Sequence, residues 1–283
     1  MFDPHPTSDL PHGLDRVQAV LARFGALTSD WPTTSGTPGS PDPVNPSNPL
    51  GLPDSLCLAA RDALNVDAAA ICVFHGPSVS VPVAVSDPHA ARAEEFHFGI
   101  GDGPCLTTST RHPELIPDIS APGARNSWPL YTAMLPEIAP YRAVFAFPLS
   151  PAPVPATSTT LTPATSTATS AGGTARPIGA LRLYRRTTGP LDDEPAAAAV
   201  ATEIARRLLT GLQDDEAGLR LLQDRALRHR SRVWQAQNLI MRTHRVPFGD
   251  ALDLLRAAAF GHDRPLREHA DDVLAGRSPM PTL

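Results

Sequence analysis

Between residues 10 and 27 the chain sets Leu14, Val17, Val20, Leu21 and Phe24 three or four positions apart, the spacing of one helical face. The pattern then stops. "TTSGTPGSPDPVNPSNP", residues 33–49, has no apolar period and is dense in Pro, Ser and Gly, which reads as a disordered linker over 31–52. Packed sequence resumes with "DSLCLAARDAL", a helix with Asp54 or Ser55 as its expected N-cap and an end near Asn65. "DAAAICVFHG" follows as an apolar strand closed by a turn. "SVSVPVAVS", residues 78–86, alternates, which predicts Val79, Val81, Val83 and Val85 on one face, and Pro82 assigns it to a sheet edge or a bulge. "RAVFAFPLS" and "PIGALRLYRR" read as a strand pair, interrupted by a low-complexity insert over 151–176 to which no chemistry is assigned.

From Leu191 a helical run is expected to continue almost unbroken to about residue 244, with Asp192, Asp193 and Glu194 in its acidic first turn. Within it Ala205, Leu208, Leu212, Asp215, Leu219, Leu222, Ala226, His229, Val233, Ala236 and Ile240 recur in steps of three and four. That is a heptad register, so Leu219, Leu222, Ala226 and Val233 are read as the seam of a homodimeric coiled coil, with polar breaks at Asp215 and His229. Two short helices finish the chain. "PFGDALDLLRAAAF" puts Phe248, Ala251, Leu252, Leu255 and Ala259 on one stripe, and "RPLREHADDVLAG" does the same with Leu266, Ala270, Val273 and Leu274. Neither stripe is covered by its own helix, so both are expected to pack on the end of the long one as a three-helix unit.

Charge sharpens this division. The chain carries −5, yet residues 228–245 hold Arg228, Arg230, Arg232, Arg242 and Arg245 with no acid, so the remainder carries −10. Such asymmetry calls for an anionic partner at the C-terminal part. Every basic residue is arginine. Cys57, Cys72 and Cys105 are an odd, widely spaced set that suits neither a disulfide framework nor a zinc knuckle. His75, His89, His97 and His112 show no metal spacing and are expected on the surface or in loops. No apolar run is long enough to span a bilayer, and "MFDPHPTSDLPHG" lacks a signal-peptide layout, so a cytoplasmic protein is expected.

The C-terminal 60 or so residues resemble the ANTAR domain, an RNA-binding module of bacterial transcription antiterminators. The resemblance is carried by "ALRHRSRVWQAQNLIM", residues 226–241, where Ala226, Leu227, Arg230, Gln235, Ala236 and Met241 fit the family pattern, then by "ALDLLR" and "LREHADDVL". The chain departs from that pattern at Trp234, Gln237 and Asn238, where Glu, Lys and Gly are usual. Residues 53–210 resemble a GAF domain: a helix, strands, a looped cleft region, a strand pair and a closing helix. "GIGDGPC", "SWPLY" and "FPLS…PIGALRLY" carry that likeness.

Together the two resemblances imply an α+β architecture. A GAF-like antiparallel sheet flanked by helices (53–212) would be followed by a coiled coil and three-helix ANTAR unit (213–276). An N-terminal helix (1–30) would precede it and a tail (277–283) would follow. They imply a homodimeric antitermination regulator rather than an enzyme, binding paired hairpin loops of nascent RNA under control of a sensed signal. Arg228, Arg230, Arg232, Gln235, Gln237, Asn238, Arg242, Arg245, Arg256, Arg264 and Arg267 would form the RNA surface. Trp234 is either a base-stacking platform or buried against the third helix of the unit. Cys105, Asp102 and Trp128 would border a sensor pocket for a small molecule that the sequence does not name. Two other readings stand beside this one. Cys105 sits in a glycine-rich loop that suits a thiol enzyme or redox sensor, and the basic helix also suits a DNA or protein partner.

Overall fold

The computed structural model describes residues 11–29, 51–75, 79–104, 112–151, 176–210 and 231–279. The Pro/Ser linker up to residue 50, most of the 151–176 insert, Cys105, and the stretch with Asp215, Leu219, Leu222, Ala226, Arg228, His229 and Arg230 lie outside these residues, while Gly51 and Leu52, expected in the linker, open the first helix after it.

The strands form the centre. β1 (Ala68–His75), β2 (Val79–Val85), β3 (Glu114–Ile116), β4 (Ala143–Leu149) and β5 (Gly179–Arg185) make a sheet in the order β2-β1-β5-β4-β3, and every neighbouring pair is antiparallel. The expected strand pair is thus β4 and β5. Both faces of the sheet are covered, which is why β4 and β5 read as near-continuous apolar runs. On one face Ala69, Ile71, Val73, Phe145, Phe147, Leu149, Leu181 and Leu183 pack with α2 (Leu52–Ala63) and α6 (Glu194–Thr210), and Phe24 of α1 (Pro11–Thr28) joins this core. On the other face Ala68, Ala70, Val144 and Tyr184 meet α3 (Pro88–Ile100), α4 (Pro122–Ser127) and α5 (Pro129–Ile138).

Local chemistry sets the element ends. α2 begins one turn before the expected cap: Gly51 takes the N-cap position, and Asp54, inside the first turn, accepts a hydrogen bond from the Gly51 amide at 3.2 Å. Asp193 accepts from the Ala196 amide and so opens α6. The four valines of β2 do not share a face. β2 is an edge strand, and its pairing with β1 slips between Ile71, opposite Ala84, and Cys72, opposite Pro82. That bulge resets the alternation, so Val79, Val81 and Ala84 enter one core while Val85 packs on the other. Pro82 is therefore both at an edge and at a bulge.

The stretch expected as a looped cleft is largely regular. Asp87 caps α3 by accepting from the amides of His89 and Ala90, and Gly101 closes it in the left-handed region. β3, α4 and α5 follow.

At the C-terminus α7 (Ser231–His244), α8 (Phe248–Gly261) and α9 (Leu266–Leu274) pack on one another. The predicted stripes are buried: Ala251, Leu252, Leu255 and Ala259 from α8, and Leu266, Ala270 and Val273 from α9. Val233, Ala236 and Ile240 of α7 close the same core. This corrects the seam assignment at Val233. Its side chain is buried within this chain and faces α8 and α9 rather than a second copy. No helix among the described residues is long and apolar enough to cross a membrane.

Gly179 passes so close to β1 that a Cβ there would lie 1.9 Å from the Cys72 carbonyl oxygen. Gly179→Ala is expected to lower stability by roughly 2–4 kcal/mol in urea unfolding, through the backbone shift it forces; an unchanged midpoint would contradict this packing.

Candidate functional site

A charge in the middle of an apolar strand must find its partner inside the protein. Arg182 of β5 is such a charge. Its side chain faces α3, fully buried, and Glu94 of that helix meets it with 2.7 Å between Nη1 and Oε2. The remaining acceptor capacity of Glu94 is filled by neighbours. Tyr184 donates its hydroxyl to Oε1 at 2.5 Å, and the Cys72 thiol donates to Oε2 at 3.3 Å. Arg182 also donates to the Tyr184 hydroxyl and, at 3.5 Å, to the Cys72 sulfur. Burial, and next the Glu94 charge, push the Tyr184 phenol well above its ordinary range. Tyr184 stacks on Tyr141 with ring centroids 4.6 Å apart, and Tyr141 donates to Asp87 at the start of α3. The start and the middle of α3 are thus tied to this face of the sheet.

One turn beyond Glu94, His97 continues the polar strip. It is buried, not superficial as expected, and lies edge-on to Tyr131 of α5 with centroids 5.5 Å apart. Its Nε2 is sealed from solvent without a hydrogen-bond partner among the described residues. Burial, then the positive charges of Arg182 and Arg256, hold the imidazole well below its ordinary value of 6.5, so it is neutral. The loop after α3 wraps this histidine. Gly103 (φ 137°) is pressed against the ring, where a Cβ would stand 2.4 Å from Cδ2. Asp102 accepts from the Tyr131 amide at 3.0 Å and so caps α5 across the loop. Asp102 therefore borders the cluster as a structural acceptor. Trp128, half-buried at the α4–α5 junction, packs against the apolar layer around it.

The arrangement is a buried ion pair with phenols and an imidazole nitrogen in an apolar wall, and Glu94, Arg182, Tyr184 and Cys72 partner one another. Among the described residues it presents no exposed thiol. Cys57 and Cys72 are both buried, and burial pushes the Cys57 thiol up. No group of three or more His, Cys, Asp or Glu among the described residues could hold a metal ion. The sequence reading missed Glu94, His97, Arg182 and Tyr184. One signal was available: Arg182 and Tyr184 share a strand face that the apolar period would otherwise fill.

The second candidate is α7. Its inner face is spent on packing, and two expected RNA contacts lie there. Gln237 is fully buried and donates from Nε2 to the Phe248 carbonyl at 2.5 Å, so it is not on the surface. Trp234 is buried and stacks on Phe248 with centroids 4.7 Å apart, which settles it as core and not as a platform for a base. The outer face carries Gln235, Asn238, Arg242 and, one residue past the helix, Arg245, all exposed and three or four positions apart. Arg242 and Arg245 form no ion pair with a described residue, and neither does exposed Arg267 of α9. Arg232 is exposed but paired with Asp271, and Arg264 with Asp272 and Glu268. Arg256 is turned inward, its side chain only 10% exposed, and donates to the carbonyl of Phe98 in α3.

The sequence matches no protein-family model and no curated protein. Solved structures similar to the chain include the GAF domain of a phosphoenolpyruvate-protein phosphotransferase from Coxiella burnetii, at 13% identity over 67% of this chain and 92% of that one, with a TM-score of 0.38. The corresponding GAF domain from Acinetobacter is 12% identical over 75% and 93%, with a TM-score of 0.37. The photosensory core module of a Stigmatella aurantiaca phytochrome is 13% identical over 90% and 47%, with a TM-score of 0.38.

Removing one partner of the buried pair tests its role. Glu94→Gln leaves the Arg182 charge uncompensated and is expected to cost about 3–5 kcal/mol in denaturant unfolding, and a loss below about 1 kcal/mol would contradict it. His97 gives a pH signature. Its folded-state pKa lies below the ordinary 6.5, so the unfolded chain takes up the proton first. Its contribution is complete above pH 6.5 and declines as pH falls, by about 1.4 kcal/mol per unit, until the folded form also protonates. The stability measured by urea unfolding should therefore fall less between pH 7 and 5 in His97→Gln than in the parent. Parallel curves would show that His97 is not held neutral.

Proposed function

We propose that the chain is a signal-responsive regulator of transcription. Its GAF-like part senses a small polar molecule, and its C-terminal ANTAR-like unit binds RNA hairpin loops and lets transcription continue. The reading places it in the cytoplasm as a homodimer, and assigns it no catalytic step.

The observation that carries the RNA half is the outer face of α7. Gln235 and Asn238 are exposed amides that can pair with base edges, and Arg242 and Arg245 are exposed cations that form no ion pair with a described residue, all on one stripe. Sequence in RNA is read in unstacked loops rather than in the narrow major groove of a duplex. A short helix face with two amides beside two cations fits a loop whose splayed bases lie next to its phosphates. An ordinary solvated helix face would be expected to carry acids among its arginines, as α9 does with Glu268 and Asp271. The sensing half is supported by the buried cluster of Glu94, Arg182, Tyr184 and His97 and by the sequence resemblance over 53–210.

Titration of the purified chain with tandem-hairpin RNA tests this reading, with duplex DNA as competitor. Arg242→Ala and Arg245→Ala should each weaken binding and lower the slope of log affinity against log salt by about 0.7–0.9. Asn238→Ala should weaken preferred loops more than others, with the salt slope unchanged. Equal affinity for duplex DNA would favour a DNA partner. Absence of RNA binding at low salt would leave a sensor that works through protein contacts.

A further inference from the structure

The arginine expected from the sequence at the RNA surface is instead bound to the sensor part. Arg256 reaches from α8 to the C-terminal turn of α3. Nε and Nη2 both donate to the Phe98 carbonyl, at 3.0 and 2.8 Å, and Nη1 meets Asp253 at 3.0 Å. The guanidinium also lies over the Phe98 ring, 5.5 Å from its centroid. The carbonyls of a helix's last turn lack intrahelical donors and sit at its negative end, so a fork of N–H groups suits them. Room for the fork is made by Gly101. That residue is left-handed (φ 68°), and a Cβ there would stand 2.7 Å from Nη1. Leu266 of α9 approaches Gly99 beside it.

Position gives this contact its meaning. α3 carries Glu94 and His97, and the loop after it carries Asp102 and Gly103, so the segment Arg256 grips is the one that closes the buried cluster. Phe98 also lies in the same apolar cluster as Trp234, Leu252 and Leu255 of the three-helix unit. With its donors engaged and its side chain 10% exposed, Arg256 has nothing to offer a phosphate.

We propose that Arg256 is a latch: docked on the Phe98 carbonyl it holds the three-helix unit in a low-affinity state, and released it adds its charge to the RNA surface. The proposal rests on the RNA-binding reading above and gives it a mechanism of control. The carbonyl of Phe98 and an RNA phosphate compete for one guanidinium. Anything that shifts the last turn of α3 from within the cluster changes that competition, and RNA in turn must loosen α3.

Two variants release the latch in different ways. Gly101→Ala expels the guanidinium while leaving Arg256 itself in place. Arg256→Lys keeps the charge but loses the two-pronged grip, and it serves if the strained Gly101→Ala chain does not fold. Both should bind tandem-hairpin RNA about tenfold tighter than the parent, because the competent fraction rises. Amide hydrogen exchange in the last turn of α3 should quicken in both. Arg256→Ala, released but uncharged, should bind more weakly than Arg256→Lys, with a salt slope lower by about 0.7–0.9. RNA affinity equal to the parent in Gly101→Ala and Arg256→Lys would overturn the latch while leaving RNA binding intact. If neither parent nor variants bind RNA, the RNA-binding reading falls and the latch with it.

Discussion

Burying Arg182 in the middle of β5 imposes a requirement that no other part of the sheet can meet. A guanidinium cut off from water is tolerable only beside a carboxylate with saturated hydrogen bonds, and Glu94 on α3 is that carboxylate. The pair therefore fixes which helix lies over this face of the sheet and how it is rotated about its axis. With Glu94 directed at β5, His97 three residues later must also point inward, and the following loop must fold over it. That loop can do so because Gly101 and Gly103 adopt backbone conformations that other residues resist. Asp102 then anchors α5. One electrostatic demand thus orders α3, its loop and the start of α5.

The same helix connects to the C-terminal unit through its other end. α7, α8 and α9 bury a shared core, and that packing sorts the polar residues of α7 into two sets. Gln237 and Trp234 are drawn inside, where the Phe248 carbonyl and ring hold them. Gln235, Asn238, Arg242 and Arg245 remain outside. Arg256 belongs to neither set, since it joins α8 to α3. A conformational change in the polar cluster has a short physical route to the basic surface through this one side chain.

Much of this was legible in the residues. The apolar runs at 68–75, 143–149 and 179–185 became strands covered on both faces, and the stripes of α8 and α9 became buried faces, because apolar spacing reports directly on which side of an element faces a core. The face of β2 was misread because a bulge at Pro82 shifts the phase, and a bulge depends on the partner strand. α3 went unread although Asp87 and Gly101 mark its ends; its mix of Ala, Glu, His and Phe has a diffuse period, since it buries polar as well as apolar groups. Val233 fits a heptad as well as a three-helix core, and spacing alone does not separate them. Arg256 and Gln237 were placed on the surface by residue type; only tertiary contacts show that a carbonyl inside the fold claims each of them.

The central claim is that the polar cluster and the RNA surface are two ends of one coupled unit joined through α3. Hydrogen exchange measured with and without saturating tandem-hairpin RNA tests it most directly, because coupling between sites is reciprocal. The account predicts protection along the outer face of α7 and, at the same time, faster exchange in the last turn of α3 and in residues 101–103, which the RNA does not touch. Protection of α7 with no change in α3 would contradict it.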